Sequence, residues 1–335
     1  MSKTHWDGMR VYVTGATGMV GGFVVEELLR RGAHVIALVR DQVGRSYFDV
    51  AGLKGRCTVV AGELENFELQ LRIMNEYQIQ GVIHLAAQTQ VQVALEHPMA
   101  TLRANINGTY HILEAARQCR KYLHFCIVAS TDKAYGEARY PQYDEDHPLL
   151  AVYPYDVSKA CADMLARSYA LTYDLPIAIT RCGNFFGPCD LNWGRIIPHL
   201  IESYSHDRRP TLRSDGSHVR DYFYIKDGAL AYLFLADKVA QDPARFKGEA
   251  FNFSYGESFS VRDIVHTVAR LMGKQHIEGT YEATASQEIA HQSLDAKKAR
   301  QLGWIPKYSI ESGLVETIAW HREWAKSQLL TGSRL

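Results

Sequence analysis

Neither sign of charge is in excess in this 335-residue chain, where 37 Lys and Arg stand against 37 Asp and Glu. That balance leaves no electrostatic footprint for nucleic acid or an anionic membrane surface and favours a small-molecule partner. No apolar run approaches the roughly 18 residues of a membrane span. The opening Met-Ser-Lys-Thr-His-Trp-Asp-Gly has no apolar signal core, so a soluble, cytoplasmic protein is expected. Cysteine is sparse. Cys57, Cys119, Cys126, Cys161, Cys182 and Cys189 include no C-x-x-C pair and read as reduced packing residues. The 14 histidines form no H-E-x-x-H and no cluster at ligand spacing, so no metal is expected. Internal repeats and low-complexity tracts are also missing.

What is present is alternation. Short runs at 10–14, 34–39, 57–60, 82–86, 124–130 and 177–181 are apolar at nearly every position, as strands covered on both faces must be. Between them, 20–30, 69–77, 104–118 and 158–173 carry apolar residues at three-to-four spacing. The expected fold is α/β, a doubly wound parallel sheet (Rossmann fold) with a smaller C-terminal α+β lobe. Residues 1–182 are assigned to the sheet domain, with 220–250 returning to it, and 183–219 and 251–335 to the second lobe.

The segment Val13-Thr14-Gly15-Ala16-Thr17-Gly18-Met19-Val20-Gly21-Gly22 follows the first strand and opens the first helix. Gly15 permits the tight turn, Gly18 lets amides approach a pyrophosphate, and Gly21 lets helix and strand pack closely. The helix N-terminus adds unpaired N–H groups and partial positive charge. A nicotinamide dinucleotide is therefore the expected cofactor. The second strand ends in Val39-Arg40-Asp41. Arg40 suits the 2′-phosphate of NADP, whereas Asp41 suits the 2′-hydroxyl of NAD, and the choice stays open.

Tyr155 and Lys159 lie four apart, one turn on one helix face. A nearby ammonium and a positive nicotinamide ring favour the phenolate, which then takes a proton from a substrate hydroxyl as hydride leaves the same carbon. Thr131, at the carboxyl end of the fifth strand, is placed to hydrogen-bond that hydroxyl. Asp132 and Lys133 follow it and add an acid/base pair that a simple alcohol dehydrogenase does not need.

In this order the motifs resemble the extended short-chain dehydrogenase/reductase superfamily, the NAD(P)-dependent sugar-nucleotide epimerases and dehydratases. The likeness extends to His84-Leu85-Ala86-Ala87-Gln88, Asn105-Ile106-Asn107-Gly108-Thr109, Arg181-Cys182-Gly183-Asn184 and Arg220-Asp221-Tyr222. Within the superfamily it is most similar to the CDP-glucose 4,6-dehydratases, on Trp6-Asp7-Gly8, Thr131-Asp132-Lys133, Asp190-Leu191-Asn192-Trp193, Gln301-Leu302-Gly303-Trp304 and Trp320-His321-Arg322-Glu323-Trp324. The dTDP-glucose enzymes carry Glu in place of Lys133.

The resemblance implies oxidation at C4 of a nucleotide-linked hexose, loss of water across C5 and C6, and return of hydride to C6, giving a 4-keto-6-deoxy sugar. Asp132 would protonate the departing O6 hydroxyl, and a transiently neutral Lys133 would manage the C5 proton. Glu63 and Leu64 correspond to the pair flanking adenine, and Leu85, Ala86, Ala87, Gln88 and Asn105 to cofactor contacts, with Gln88 also near the substrate. Asn184, Arg195 and Arg220 match pyrophosphate positions, while Trp193, with Val152 and Tyr222, is a candidate for contacts that no spacing rule assigns. Helices 104–118 and 158–173 resemble those that pair as a helix bundle across a homodimer. A 4-epimerase shares Thr131, Tyr155 and Lys159 but has no need of Asp132 and Lys133. A non-catalytic cofactor-binding sensor would not need the complete set.

Overall fold

The computed structural model describes residues 5–41, 44–137, 142–282 and 289–331; the expectation for the N-terminal segment falls partly on residues 1–4, outside the described residues. Its centre is a seven-stranded sheet containing β1 (Arg10–Thr14), β2 (His34–Val39), β3 (Thr58–Ala61), β4 (Gly81–His84), β5 (Phe125–Ala129) and β6 (Ile177–Cys182). The order is Ala250–Phe253, β6, β5, β4, β1, β2, β3, and all pairings are parallel. This is the expected doubly wound fold, reached because strands such as Val11-Tyr12-Val13 bury side chains on both faces. On one face Tyr12, Ile36, Val82 and Ile177 pack with Ile73, Ile112, Leu113 and Ala166. On the other, Val11, Val35 and Ile127 join a core that continues into the second lobe through Ile264, Val268, Trp304 and Leu314.

The strand Ala250–Phe253 corrects the domain boundary. Residues 251–253 were assigned to the second lobe, yet the strand is buried throughout and pairs with β6 as the edge of the main sheet. Its Phe-Asn-Phe run turns two rings into the core and the amide of Asn252 into buried hydrogen bonds with the Tyr143 and Asp295 carbonyls. Helix Ile225–Gln241, within the stretch 220–250 expected to return to the sheet domain, packs on helix α1 (Met19–Arg30), β5 and β6. Three short strand pairs, Asn184–Phe186 with Tyr222–Tyr224, Val219–Arg220 with Phe259–Ser260, and Thr211–Leu212 with Thr280–Tyr281, build the lobe that covers the carboxyl ends of the sheet. Among the described residues no helix is long and apolar enough to cross a membrane, and no cluster of His, Cys, Asp or Glu is able to hold a metal ion.

Candidate active site

A cleft of about 1060 Å³ runs between the carboxyl ends of the strands and the second lobe. The glycine turn forms one end. Gly15 has φ +73°, and a Cβ there would lie 2.7 Å from the Ala86 amide nitrogen; a Cβ on Gly21 would lie 2.0 Å from the Gly15 carbonyl oxygen. These contacts leave bare backbone at the start of α1, where Gly18 is the N-cap, no side chain caps the helix and no acidic residue occupies its first turn. Such an end attracts a diphosphate. Gly15, Thr17, Gly18, Met19, Val20 and Gly21 all line the cleft. The cradle therefore fits a dinucleotide.

Arg40 and Asp41 also line it and pair with each other at 2.6 Å on an exposed edge. Glu63 is exposed and stays off the cleft, whereas Leu64 and Glu65 face it. The reason is local: Gln70, held by the Tyr12 hydroxyl at 2.5 Å, donates to the Glu63 and Leu64 carbonyls and fixes the turn with Leu64 inward. Leu85, Ala86, Ala87 and Gln88 line the cleft; Asn105 does not. Instead Asn105 is buried in a wide helical turn, Arg103–Asn107, where its side chain accepts from the Gln88 amide at 2.7 Å and donates to the Gln88 carbonyl and to Ser158 Oγ. It acts on the site through Gln88.

Beneath this loop, His84 is fully enclosed and burial pulls its imidazole down to about 3, so it is neutral. Its Nδ1 meets the Thr14 hydroxyl at 2.7 Å and its Nε2 the Thr109 hydroxyl at 3.0 Å. Thr109 donates to the Asn105 carbonyl, so its oxygen accepts from Nε2–H; Nδ1 then accepts from Thr14, which accepts from the Ala86 amide. One chain of hydrogen bonds thus joins the glycine turn, the Leu85–Gln88 loop and the Asn105 turn.

At the centre, Thr131, Lys133, Tyr155 and Lys159 line one wall. Burial and the carboxylates of Asp132 and Asp156 push the Tyr155 phenol above the ordinary value, with Arg195 and Thr131 acting the other way. Lys159 donates to the Ala129 carbonyl at 2.5 Å, and burial draws its ammonium down to about 8. Desolvation is the largest influence on the phenol and outweighs any lowering by Lys159. Lys133 Nζ reaches Gln292 Oε1 at 3.3 Å. Asp132 lies behind the wall, 1% exposed, its Oδ1 accepting from Thr131 at 2.9 Å. Asp156, which the sequence reading passed over, faces the cleft.

Opposite stand Asn184, Trp193, Arg195 and Arg220. Arg195 pairs with buried Asp190 at 2.9 Å and touches Met19 Sδ at 3.1 Å, tying this wall to the glycine turn. Arg220 donates to the Val219 carbonyl at 2.8 Å. Trp193 leans on His321 and Trp324 of the C-terminal helix, with centroids 5.8 and 6.0 Å away. Tyr222 lines the cleft and Val152 is an exposed residue away from it.

The GDP-mannose 4,6-dehydratase family matches this chain over residues 12–317. The chain belongs to that family. Among relatives of this dehydratase-family protein, the CDP-glucose 4,6-dehydratase of Salmonella typhimurium is 27% identical, covering 98% of this chain and 94% of its own. A dTDP-glucose 4,6-dehydratase of Shigella flexneri is 30% identical over 93% and 92%. Among solved structures, the UDP-glucose 4-epimerase of Thermotoga maritima with UDP-glucose superposes with a TM-score of 0.85 at 27% identity, covering 95% of this chain and all of that one. The dTDP-glucose 4,6-dehydratase of Streptomyces venezuelae, with NAD bound, gives 0.84 at 26% identity over 94% and 97%. The dehydratase-family chain is thus an enzyme of the sugar-nucleotide dehydratase and epimerase group, with its Rossmann-like sheet.

Proposed function

We propose that this enzyme is a sugar-nucleotide 4,6-dehydratase that binds NAD and converts a nucleoside diphosphohexose, of the CDP-glucose kind, to its 4-keto-6-deoxy product. The observation that carries the reading is a further ionisable group, Lys133, on the same cleft wall as Thr131, Tyr155 and Lys159. Hydride transfer at one carbon needs only the latter three; a separate amine beside them suits removal of a carbon-bound proton.

The glycine turn, Leu64, Glu65 and the Leu85–Gln88 loop would hold NAD, which would supply a hydride acceptor for C4 and a hydride donor for C6. NAD is favoured over NADP because Arg40 is committed to Asp41 and because dehydratase relatives are solved with NAD. Tyr155 takes the O4 proton, with Thr131 holding the oxygen. Lys159, fixed by the Ala129 carbonyl, supplies positive charge that favours the phenolate. Lys133 removes the C5 proton, acidified by the ketone at C4. Arg195 and Arg220 hold the substrate diphosphate with Asn184, and the arginine fork suits two phosphate oxygens. Trp193 offers a flat apolar face at the mouth.

A homodimer fits the surface. Met164 and Leu171 on helix Pro154–Tyr173 are 63% and 54% exposed, and Met99 on the neighbouring helix Pro98–Leu102 is 70% exposed. A second copy of this face would cover them.

Incubating the purified protein with CDP-, dTDP-, GDP- and UDP-hexoses tests the reading. A product lighter by one water, carrying a ketone, is expected from at least one. A product of unchanged mass and inverted C4 would establish the epimerase alternative.

A further inference from the structure

Two stretches that the sheet does not require, Asp190–Trp193 and Trp320–Trp324, lie far apart in the chain and meet at the mouth of the cleft. Residues 192–195 form a tight turn, in which the Arg195 amide donates to the Asn192 carbonyl at 2.9 Å and the Gly194 amide to Asn192 Oδ1 at 3.1 Å. Trp193 stands at its tip. Behind the turn, Asp190 is 4% exposed, and its Oδ1 accepts from the Asn192 amide at 3.2 Å and from Arg195 Nη1 at 2.9 Å. Arg195 also touches Met19 Sδ at 3.1 Å. The base of the turn is thus fixed to the glycine cradle, while its tip leans on another element.

That element is the C-terminal helix, Ile310–Thr331. His321 and Trp324, neighbours on one helix face, present their rings to Trp193 with centroids 5.8 and 6.0 Å away. Trp320 stacks on Trp324 with centroids 6.2 Å apart and planes at 18°, and it meets His321 edge-on at 5.0 Å. Burial pulls His321 down to about 4, so its ring is neutral and offers an uncharged face. Trp193 is half-buried, with these rings on one side and the cleft on the other. An indole at the tip of a short turn has several rotamers open to it, and holding one costs entropy that the ring contacts offset.

We propose that His321 and Trp324 are positioning residues for the substrate. By holding the Trp193 indole at the mouth of the cleft, they set how tightly the nucleotide sugar binds without touching it. The proposal rests on the reading of the cleft as a nucleotide-sugar site. Trp193 presents a preorganised ring face to the ligand, and Arg195, at the other end of the same turn, keeps its fork for the diphosphate. Preorganisation lowers the cost of ordering at the moment of binding, so its loss appears in KM rather than in kcat. Thr131, Tyr155 and Lys159 stand on the opposite wall, and the chemistry there keeps its rate.

Steady-state kinetics with the nucleotide hexose that the wild type turns over, and calorimetry of CDP, dTDP, GDP and UDP on the NAD-loaded protein, test this. Trp324→Ala and His321→Ala should each raise KM, and the Kd of the best-bound nucleoside diphosphate, by about tenfold, with kcat within about threefold. Trp324→Phe, which keeps a ring, should recover most of the loss. Trp324→Leu fills the space without the ring; it should show the same rise as Trp324→Ala and serves in its place if that variant does not fold. A double variant, Trp193→Ala with Trp324→Ala, should bind no more weakly than Trp193→Ala alone, because Trp324 acts through Trp193. Additive losses in the double variant overturn the proposal, as does wild-type affinity in Trp193→Ala. A fall of kcat, NAD affinity and melting temperature together in Trp324→Ala and Trp324→Leu also overturns it, by assigning Trp324 to packing. A wild type that binds no nucleoside diphosphate removes the reading of the cleft itself; a wild type and Trp324→Ala that bind equally remove only the role of the C-terminal helix.

Discussion

At the scale of single residues, the cleft separates groups that adjacent positions in the chain would seem to make equivalent. Asp132 and Lys133 are neighbours, yet one is sealed and the other faces the cleft, since the short helical turn Asp132–Tyr135 sends successive side chains in different directions. The removal of one hydroxyl, Tyr155→Phe, should lower kcat by about 100- to 10,000-fold while leaving the Kd for NAD within a few-fold, measured by steady-state kinetics and calorimetry. Asp156 gives a prediction with a defined sign. Its folded value of about 6 exceeds the ordinary 3.8, so the folded state holds the proton more tightly. That contribution is full below pH 3.8 and is lost as pH rises through about 6. Asp156→Asn, which never ionises, should gain about 1–2 kcal/mol over wild type at pH 7 and nothing below pH 3.8, read from urea unfolding at the two pH values.

At the scale of elements, the site depends on how closely α1 approaches β1. Gly21→Ala puts a methyl group into the Gly15 carbonyl oxygen and forces helix and turn apart. A loss of about 1–3 kcal/mol and at least tenfold weaker NAD binding are expected, by thermal melting and calorimetry. His84 links β4 to both β1 and the Asn105 turn, and His84→Leu leaves the Thr14 hydroxyl without its acceptor and the Thr109 oxygen without its donor. Each unsatisfied group costs about 1–3 kcal/mol. Because the same chain ends at Ala86 and Asn105, the variant should also raise the KM for substrate through a loosened Gln88 loop. Kinetics at saturating NAD separate that effect from cofactor loss.

For the whole molecule, sheet and second lobe share one continuous core, so the substrate wall is anchored to the cofactor wall rather than hinged on a linker. The proposed dimer would form where Met99, Met164 and Leu171 are exposed. Met164→Glu with Leu171→Glu should convert a dimer to a monomer in light scattering while leaving the cleft residues in place. A wild type that is monomeric at micromolar concentration would remove the dimer.

The sequence alone determined the sheet, because apolar runs buried on both faces leave few other solutions, and β1 and β2 have the bounds read from it. It also located the glycine turn and the Thr131, Tyr155 and Lys159 set, whose spacing is local and whose chemistry is narrow. Local spacing failed where a side chain's direction depends on contacts far along the chain. Glu63 was expected to flank adenine, yet Glu65 lines the cleft and Glu63 does not, since Gln70 and Tyr12 set the turn. Asn105 was expected at the cofactor and instead braces Gln88. Ala250–Phe253 was divided from the sheet that it completes. Asp156 had no signal beyond its place beside Tyr155; that it lines the cleft, while Asp132 does not, was decided by tertiary packing around two short turns.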